Sequence, residues 1–213
     1  IRYLGIHCFD GCSNLKSITL PDSIRYLDVY CFSGCYNLSS IVFGNSIQII
    51  NDYCFDGCSN LKSITLPNSI QYIGDHCFNI CTNLKSIILG NSIQHLGDYC
   101  FNHCSNLSTI TLPDSVTYLG DHCFSNCCNL NSVILPNSIQ YLGRNCFYNC
   151  SKLTSIIVHE NNLLLVDSNL GISQNCKIIT YKSKNIPNEI QKIQIPEITN
   201  DYSNIDDEDL IPQ

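Results

Sequence analysis

Cysteine recurs in this chain every 23 residues. One series runs Cys8, Cys31, Cys54, Cys77, Cys100, Cys123 and Cys146, and a second runs Cys12, Cys35, Cys58, Cys81, Cys104, Cys127 and Cys150. Phe keeps the same step from Phe9 through Phe32, Phe55, Phe78, Phe101 and Phe124 to Phe147. Of the 16 cysteines only Cys128 and Cys176 stand outside the two series. A fixed period of this size, kept without an insertion, is the mark of a solenoid or array. One such unit cannot bury its apolar side alone, so stacked units must supply the core.

One unit, residues 13 to 35, reads S-N-L-K-S-I-T-L-P-D-S-I-R-Y-L-D-V-Y-C-F-S-G-C. Leu15, Ile18 and Leu20 are spaced as a short strand rather than a helix. Pro21-Asp22-Ser23 signals a turn, and Gly44 and Gly90 take the Pro position in other units. Ile24, Leu27 and the residue after it read as a second short strand. C-F-x-x-C is compact enough for one turn of 3₁₀ or α helix. The expected fold is therefore a mainly β solenoid. Each coil holds a short parallel strand, a second short strand and a 3₁₀ or α turn.

The pattern resembles the leucine-rich repeat superfamily, and within it the BspA-like surface-antigen type. Leu61, Ile64, Leu66, Pro67, Ile70, Ile73, Gly74, Phe78 and Cys81 carry the match, with their equivalents in the other units. One departure is consistent: where the family usually has Ala before Phe, this chain has Cys, and it contains no Ala at all. The resemblance covers residues 1 to about 158. It implies a right-handed coil whose first strand lines a concave face, in a family chiefly of interaction and adhesion modules.

The periodic part, 1–158, starts in mid-repeat, since Ile1 to Gly5 align with Ile24 to Asp28. A solenoid needs a terminal cap, so further units or a cap are expected upstream. Residues 159–193 read as a stretched, degenerate unit that closes the stack. Within it, Ile186–Ile193 echoes Leu135–Leu142. Residues 194–213 hold six acidic residues and no Lys or Arg, which reads as an acidic, disordered tail.

The repeated CxxxC admits three roles. A disulfide framework is poorly served, because an odd column strands one cysteine and i,i+4 cysteines on a turn sit about 6 Å apart with awkward Cβ vectors. Metal binding lacks a closed four-ligand set, and the apolar surroundings disfavour thiolate. The third role is core filling by a small apolar side chain, and it is the expected one. It makes Cys31, Phe32, Cys35, Cys54, Phe55, Cys58, Cys77, Phe78, Cys81, Cys100, Phe101, Cys104, Cys123, Phe124 and Cys127 structural core. So many reduced thiols suit a reducing compartment better than a secreted one.

The outward positions of the first strand are the candidate partner-binding residues: Ser40, Val42, Ser63, Thr65, Ser86, Ile88, Thr109, Thr111, Ser132 and Ile134. They form a nearly uncharged sheet of hydroxyls and β-branched side chains, with Lys16, Lys62 and Lys85 beside it. A generic β surface explains the same residues. The other side carries two aromatic columns. One holds Tyr3, Tyr26, Tyr72, Tyr118 and Tyr141, with Ile49 and His95. The second runs His7, Tyr30, Tyr53, His76, Tyr99 and His122. Their expected role is to cover the core while keeping a polar tip wet. Asp52, Asp75, Asp98 and Asp121 form a carboxylate column, expected to be solvated.

Net charge is −7 with 11 Lys and Arg, too few for a nucleic-acid footprint. No run approaches the ~18–20 apolar residues of a membrane span. No phosphate loop, HExxH or GxSxG occurs, so no enzyme and no cofactor are expected. Three N-x-S/T sequons, at Asn37, Asn106 and Asn149, are no more than chance supplies in an Asn- and Ser-rich chain. The expected function is a non-enzymatic module binding a protein or extended peptide, with a microbial surface antigen or adhesin as the form the resemblance implies. Two alternatives remain: an intracellular scaffold with reduced thiols, and a metal-binding or redox protein using the cysteine columns. Cell surface and cytoplasm both stay open.

Overall fold

The computed structural model describes residues 1–166 and 168–182. The chain winds as a mainly β parallel solenoid of about eight turns. The expected end of the capping unit and the acidic tail lie outside the described residues.

Each coil contributes a two-residue strand to a continuous seven-stranded parallel sheet, from Tyr3–Leu4 through Tyr26–Leu27, Ile49–Ile50, Tyr72–Ile73, His95–Leu96 and Tyr118–Leu119 to Tyr141–Leu142. Its register steps by one repeat, with Tyr3 opposite Tyr26 and Leu4 opposite Leu27. Leu27, Ile50, Ile73, Leu96 and Leu119 point inward and are fully buried.

The first strands of the coils form a second, broken face. Ser17–Thr19 pairs with Ser40–Val42, and Ser63–Thr65 with Ser86–Ile88. Ser132–Ile134 pairs with Ser155–His159, which pairs in turn with Lys177–Tyr181. The last step is one residue shorter than the others, since Ser155 faces Lys177. Between Ser155–His159 and Lys177–Tyr181 the chain makes two 3₁₀ segments, Glu160–Leu165 and Ser168–Leu170.

The C-F-x-x-C segment joins the two strand faces by alternate bonding. Cys31, Ser33 and Cys35 close three-residue-spaced turns, donating their N–H groups to the carbonyls of Asp28, Tyr30 and Phe32. Tyr30, Phe32 and Gly34 instead donate to Asp52, Cys54 and Asp56 of the next coil. The hydrogen-bond spacing is that of a 3₁₀ helix, but two residues per unit sit in the left-handed region: Tyr30 at φ +58° and Gly34 at φ +66°. That reversal turns every second N–H outward along the stack. No backbone donor of the segment is wasted, as burial demands.

The core runs along the stack axis. Phe9 to Phe147 stack in a single file with ring centroids 5.0 to 5.7 Å apart and planes within 5° of parallel. Leu38, Leu61, Leu84, Leu107 and Leu130 are fully buried beside them, as are Ile47, Ile70 and Ile93. Cys31, Phe32, Cys35, Cys54, Phe55, Cys58, Cys77, Phe78, Cys81, Cys100, Phe101, Cys104, Cys123, Phe124 and Cys127 all have no exposed surface. At the first coil the same columns are open: Cys8 and Cys12 are exposed and Phe9 half-buried.

Candidate interaction face

Strand alternation decides what the first-strand face shows. Ile41 and Ile64 turn into the core, which leaves Ser40, Val42, Ser63 and Thr65 facing out. Ile88 and Thr111 are exposed too, while Ser86 and Thr109 are half-buried. Val42, at 54% exposure, and Ile88, at 41%, are the apolar points of the strip. A shallow depression lies beside them, lined by Val42, Phe43, Asn45, Ser63, Thr65 and Pro67. Phe43, Asn45 and Pro67 belong to the adjoining turns, so strand alternation alone does not reveal them.

Ser132 and Ile134 do not belong to the exposed face. Ser132 is 5% and Ile134 7% exposed. Ile134 and Ile157 pack with Tyr181, and Ile179 lies against them. The closing strand Lys177–Tyr181 and its aromatic side chain thus roof the outward column at this end. Consecutive Ile at 134 and 157, where Thr and aliphatic residues had alternated, was the available signal.

The second cysteine column, Cys35 to Cys150, is more than filler. Cys35 Sγ donates to the Phe9 carbonyl at 3.1 Å, and the bond recurs from Cys58, Cys81, Cys104, Cys127 and Cys150 to Phe32, Phe55, Phe78, Phe101 and Phe124, at 3.1 to 3.3 Å. These donors are the cysteines that end C-F-x-x-C, not the ones that stand before Phe in place of the family's Ala. All the cysteines are free. Burial pushes the thiols of Cys35 and Cys100 up to about 11 and that of Cys150 up to about 12. Burial, with neighbouring sulfur, also raises Cys104 and Cys127 well above the ordinary thiol value. A metal or a disulfide partner requires thiolate chemistry, which this environment opposes.

The carboxylate column is partly exposed and is also tied into the backbone. Asp52 Oδ1 accepts the Asp75 N–H at 2.9 Å, Asp75 accepts from Asp98 at 2.8 Å, and Asp98 accepts from Asp121 at 2.8 Å. Asp121 Oδ1 takes the Arg144 N–H, and its Oδ2 stands 3.6 Å from the Arg144 guanidinium. The mutual repulsion expected of stacked carboxylates is offset by these amide dipoles. Among the described residues no group of three or more His, Cys, Asp or Glu is arranged to hold a metal ion.

The aromatic columns stack on themselves. His7, Tyr30, Tyr53, His76, Tyr99 and His122 stack in one file at 4.6 to 4.9 Å. Tyr72, His95, Tyr118 and Tyr141 form a second file at 4.3 to 4.6 Å. Ring faces are consumed by neighbouring rings, so only edges remain for a ligand. Burial lowers the His95 pKa and raises the Tyr118 phenol to about 12. Asparagines form two more ladders: Asn60 donates to Asn37, and Asn79 donates to Asp56 and accepts from Asn102.

The comparisons agree with this geometry. The family model for a BspA type leucine-rich repeat region, with six copies, matches residues 1–107 and 76–200. Among solved structures the chain is similar to the leucine-rich repeat protein of T. pallidum, with 30% identity, 72% of each chain covered and a TM-score of 0.68. It is more distantly similar to a leucine-rich repeat protein from Bacteroides ovatus ATCC 8483, at 22% identity over 84% of this chain and 66% of that one, with a TM-score of 0.43. The pneumococcal vaccine antigen PcpA shares 18% identity over 86% of this chain and 61% of its own, with a TM-score of 0.40. No curated protein matches.

Proposed function

We propose that this chain, which belongs to the BspA-type leucine-rich repeat family, is a non-enzymatic protein-interaction module that binds an extended peptide or protein surface on its first-strand face. The observation that carries the reading is the strip from Ser40 to Thr111. It is exposed over most of its length, almost uncharged, dotted with apolar points at Val42 and Ile88, and bordered by Lys16, Lys62 and Lys85. Stacked repeats create long continuous surfaces of this kind. Aliphatic points among hydroxyls favour a partner that buries a few side chains and hydrogen-bonds between them.

Peptides selected by display against the full chain test the reading. Binding should weaken by about tenfold or more in Val42→Arg and Ile88→Arg, a loss of about 1.4 kcal/mol. It should persist in Tyr26→Arg on the opposite sheet. Peptides indifferent to both face substitutions would overturn the assignment.

Within this reading the reduced-thiol form, an intracellular scaffold, is favoured by the six Sγ–H to carbonyl bonds, each of which needs its thiol proton. Thiol titration under denaturant should find nearly all cysteines free. Disulfides in every coil would instead favour the cell-surface antigen that the family resemblance implies.

A further inference from the structure

The edge of the first-strand face loses its pattern between Lys85 and Lys152. Just before the outward Ser or Thr of each coil stand Lys16, Ser39, Lys62 and Lys85, and then only Ser108, Asn131 and Thr154. Two residues earlier, Asn recurs from Asn14 through Asn37, Asn60, Asn83 and Asn106 to Asn129, and Lys152 then takes its place. The cation thus leaves one column after Lys85 and reappears in the neighbouring column at Lys152. Between the two lysines stand the shorter side chains of Asn106, Ser108, Asn129 and Asn131. These six residues line a hollow of about 300 Å³. The lysines are exposed, and Asn106, Ser108 and Asn129 are half-buried.

The donors along this hollow point one way. Lys152 Nζ donates to Asn129 Oδ1 at 2.7 Å, Asn129 Nδ2 to Asn106 Oδ1 at 3.2 Å, and Asn106 Nδ2 to Asn83 Oδ1 at 3.4 Å. The lysine head is therefore drawn one coil toward Lys85. Two coils remain between them, roughly 10 Å at about 4.8 Å per strand. The Oδ1 atoms of Asn106 and Asn129 are engaged, and each amide keeps a second N–H. No Asp or Glu lines the hollow. Among the described residues neither lysine takes part in an ion pair. Two ammonium groups and two amide donors facing one concave space, with no anion among them, suit a carboxylate, since bonds between charged partners are the stronger kind.

We propose that the hollow between Lys85 and Lys152 binds an acidic side chain of an extended peptide whose aliphatic side chains lie against the strip at Ile88. This rests on the peptide-binding reading of that strip and names its partner's chemistry, aliphatic and acidic. Ile88 follows Lys85 by three residues, roughly 10 Å along the strand at about 3.3 Å per residue. Side chains on one face of an extended peptide recur at about 7 and 14 Å, so a single segment covers both points. An acidic glycan shares the charge but brings no aliphatic side chain to Ile88. The hollow thereby fixes the register of the partner on the face, as charge complementarity does at interfaces.

Fluorescence anisotropy of labelled peptides with the full, reduced chain tests this. The probe V-T-V-S-E-S-E places its Val and Glu side chains on one face of an extended chain, and V-T-V-S-Q-S-Q removes only the charge. Lys85→Gln and Lys152→Gln should each weaken the acidic probe by about three- to fivefold, the range of one exposed ion pair, and together by about tenfold. The neutral probe should bind more weakly and ignore both substitutions, which also shows that the variants are folded. Lys62→Gln removes the same charge one coil outside the hollow and should change affinity by less than about twofold. Raising salt from about 0.1 M to about 1 M, which shortens the Debye length from about 10 Å to about 3 Å, should erase the preference for the acidic probe. An acidic probe that binds no better than the neutral one, equal losses in Lys62→Gln and Lys85→Gln, or a heparin hexasaccharide that responds to both lysines while the peptide does not would each overturn the proposal. The strip is read separately through Ile88→Ser, which should weaken both probes alike. If it does so while the lysine substitutions are silent, the strip stands and the acid site falls. If lysine dependence persists and Ile88→Ser changes neither probe, the strip reading is the one that falls.

Discussion

The carboxylate of Asp52 occupies the place that a β-carbon on Gly74 would need. The same relation holds between Asp75 and Gly97 and between Asp98 and Gly120. Where the preceding coil has Ile6 or Val29 instead of Asp, the later position holds Asp28 or Asn51. Carboxylate and glycine are thus one device: the Asp bonds the next coil's amide, and the glycine before that amide makes room. Gly74→Ala should destabilise the solenoid by about 3 kcal/mol through overpacking. Asp52→Ala should cost about 1–2 kcal/mol by orphaning the Asp75 amide. Because the β-carbon also crowds the backbone of Asp52 and Asn51, the rescue is partial. The double variant should be less destabilised than the sum by about 1 kcal/mol in denaturant titration. Strict additivity would contradict the coupling.

Ile80 holds φ at +58°, in the place where Gly34 and Gly57 stand in earlier coils. A β-branched side chain is a marked outlier there. It is 46% exposed, so it returns little burial for its strain. Ile80→Gly should therefore stabilise the chain by about 1 kcal/mol, against the usual sign for an apolar-to-glycine change. A raised thermal midpoint checks it, and a fall of the same size would show that the side chain's packing outweighs the strain.

The parallel coil was legible because a 23-residue clock and strand alternation are local signals, repeated until noise averages out. The buried state of Ile134 was not, because it packs against Tyr181, a residue outside the period. The Asp–Gly device is hidden in the sequence for a related reason. It couples positions 22 residues apart in neighbouring columns, so each column read alone suggests only a solvated charge or a turn glycine. The thiol bonds, such as Cys58 to Phe32, span 26 residues and depend on how far one coil slides past the next. Left-handed Tyr30 and Tyr53 contradict intrinsic preference, and only inter-coil bonding of their amides explains them.

His95 stacks between Tyr72 and Tyr118, at 4.6 and 4.3 Å. Burial lowers its pKa below the ordinary 6.5, against an opposing pull from Asp75 and Asp98. The unfolded chain therefore binds the proton more readily. Stability is full above the unfolded value and declines as pH falls through it, levelling off below the folded value. His95→Tyr, which copies the rest of the column, should flatten this part of the acid limb. The two proteins' midpoints should converge above about pH 7.5, where the histidine is neutral in both states. A variant that tracks the parent across the whole range would refute the assignment.

The buried thiols set the alkaline limit. Eleven buried cysteines, from Cys35 to Cys150, have thiols raised above the ordinary 9.0, chiefly by burial. Well below pH 9 these groups are neutral in both states and contribute no pH dependence. Above it the unfolded chain loses protons that the folded chain keeps, so the unfolded state gains. Each such thiol then removes about 1.4 kcal/mol of stability per pH unit. Eleven acting together exhaust the ordinary margin of about 5–15 kcal/mol within roughly one unit. Circular dichroism of the reduced protein should show one steep unfolding transition starting just above pH 9. Prior oxidation to disulfides would abolish that slope, and a gradual loss over several pH units in reductant would mean that the thiols are not held in the core.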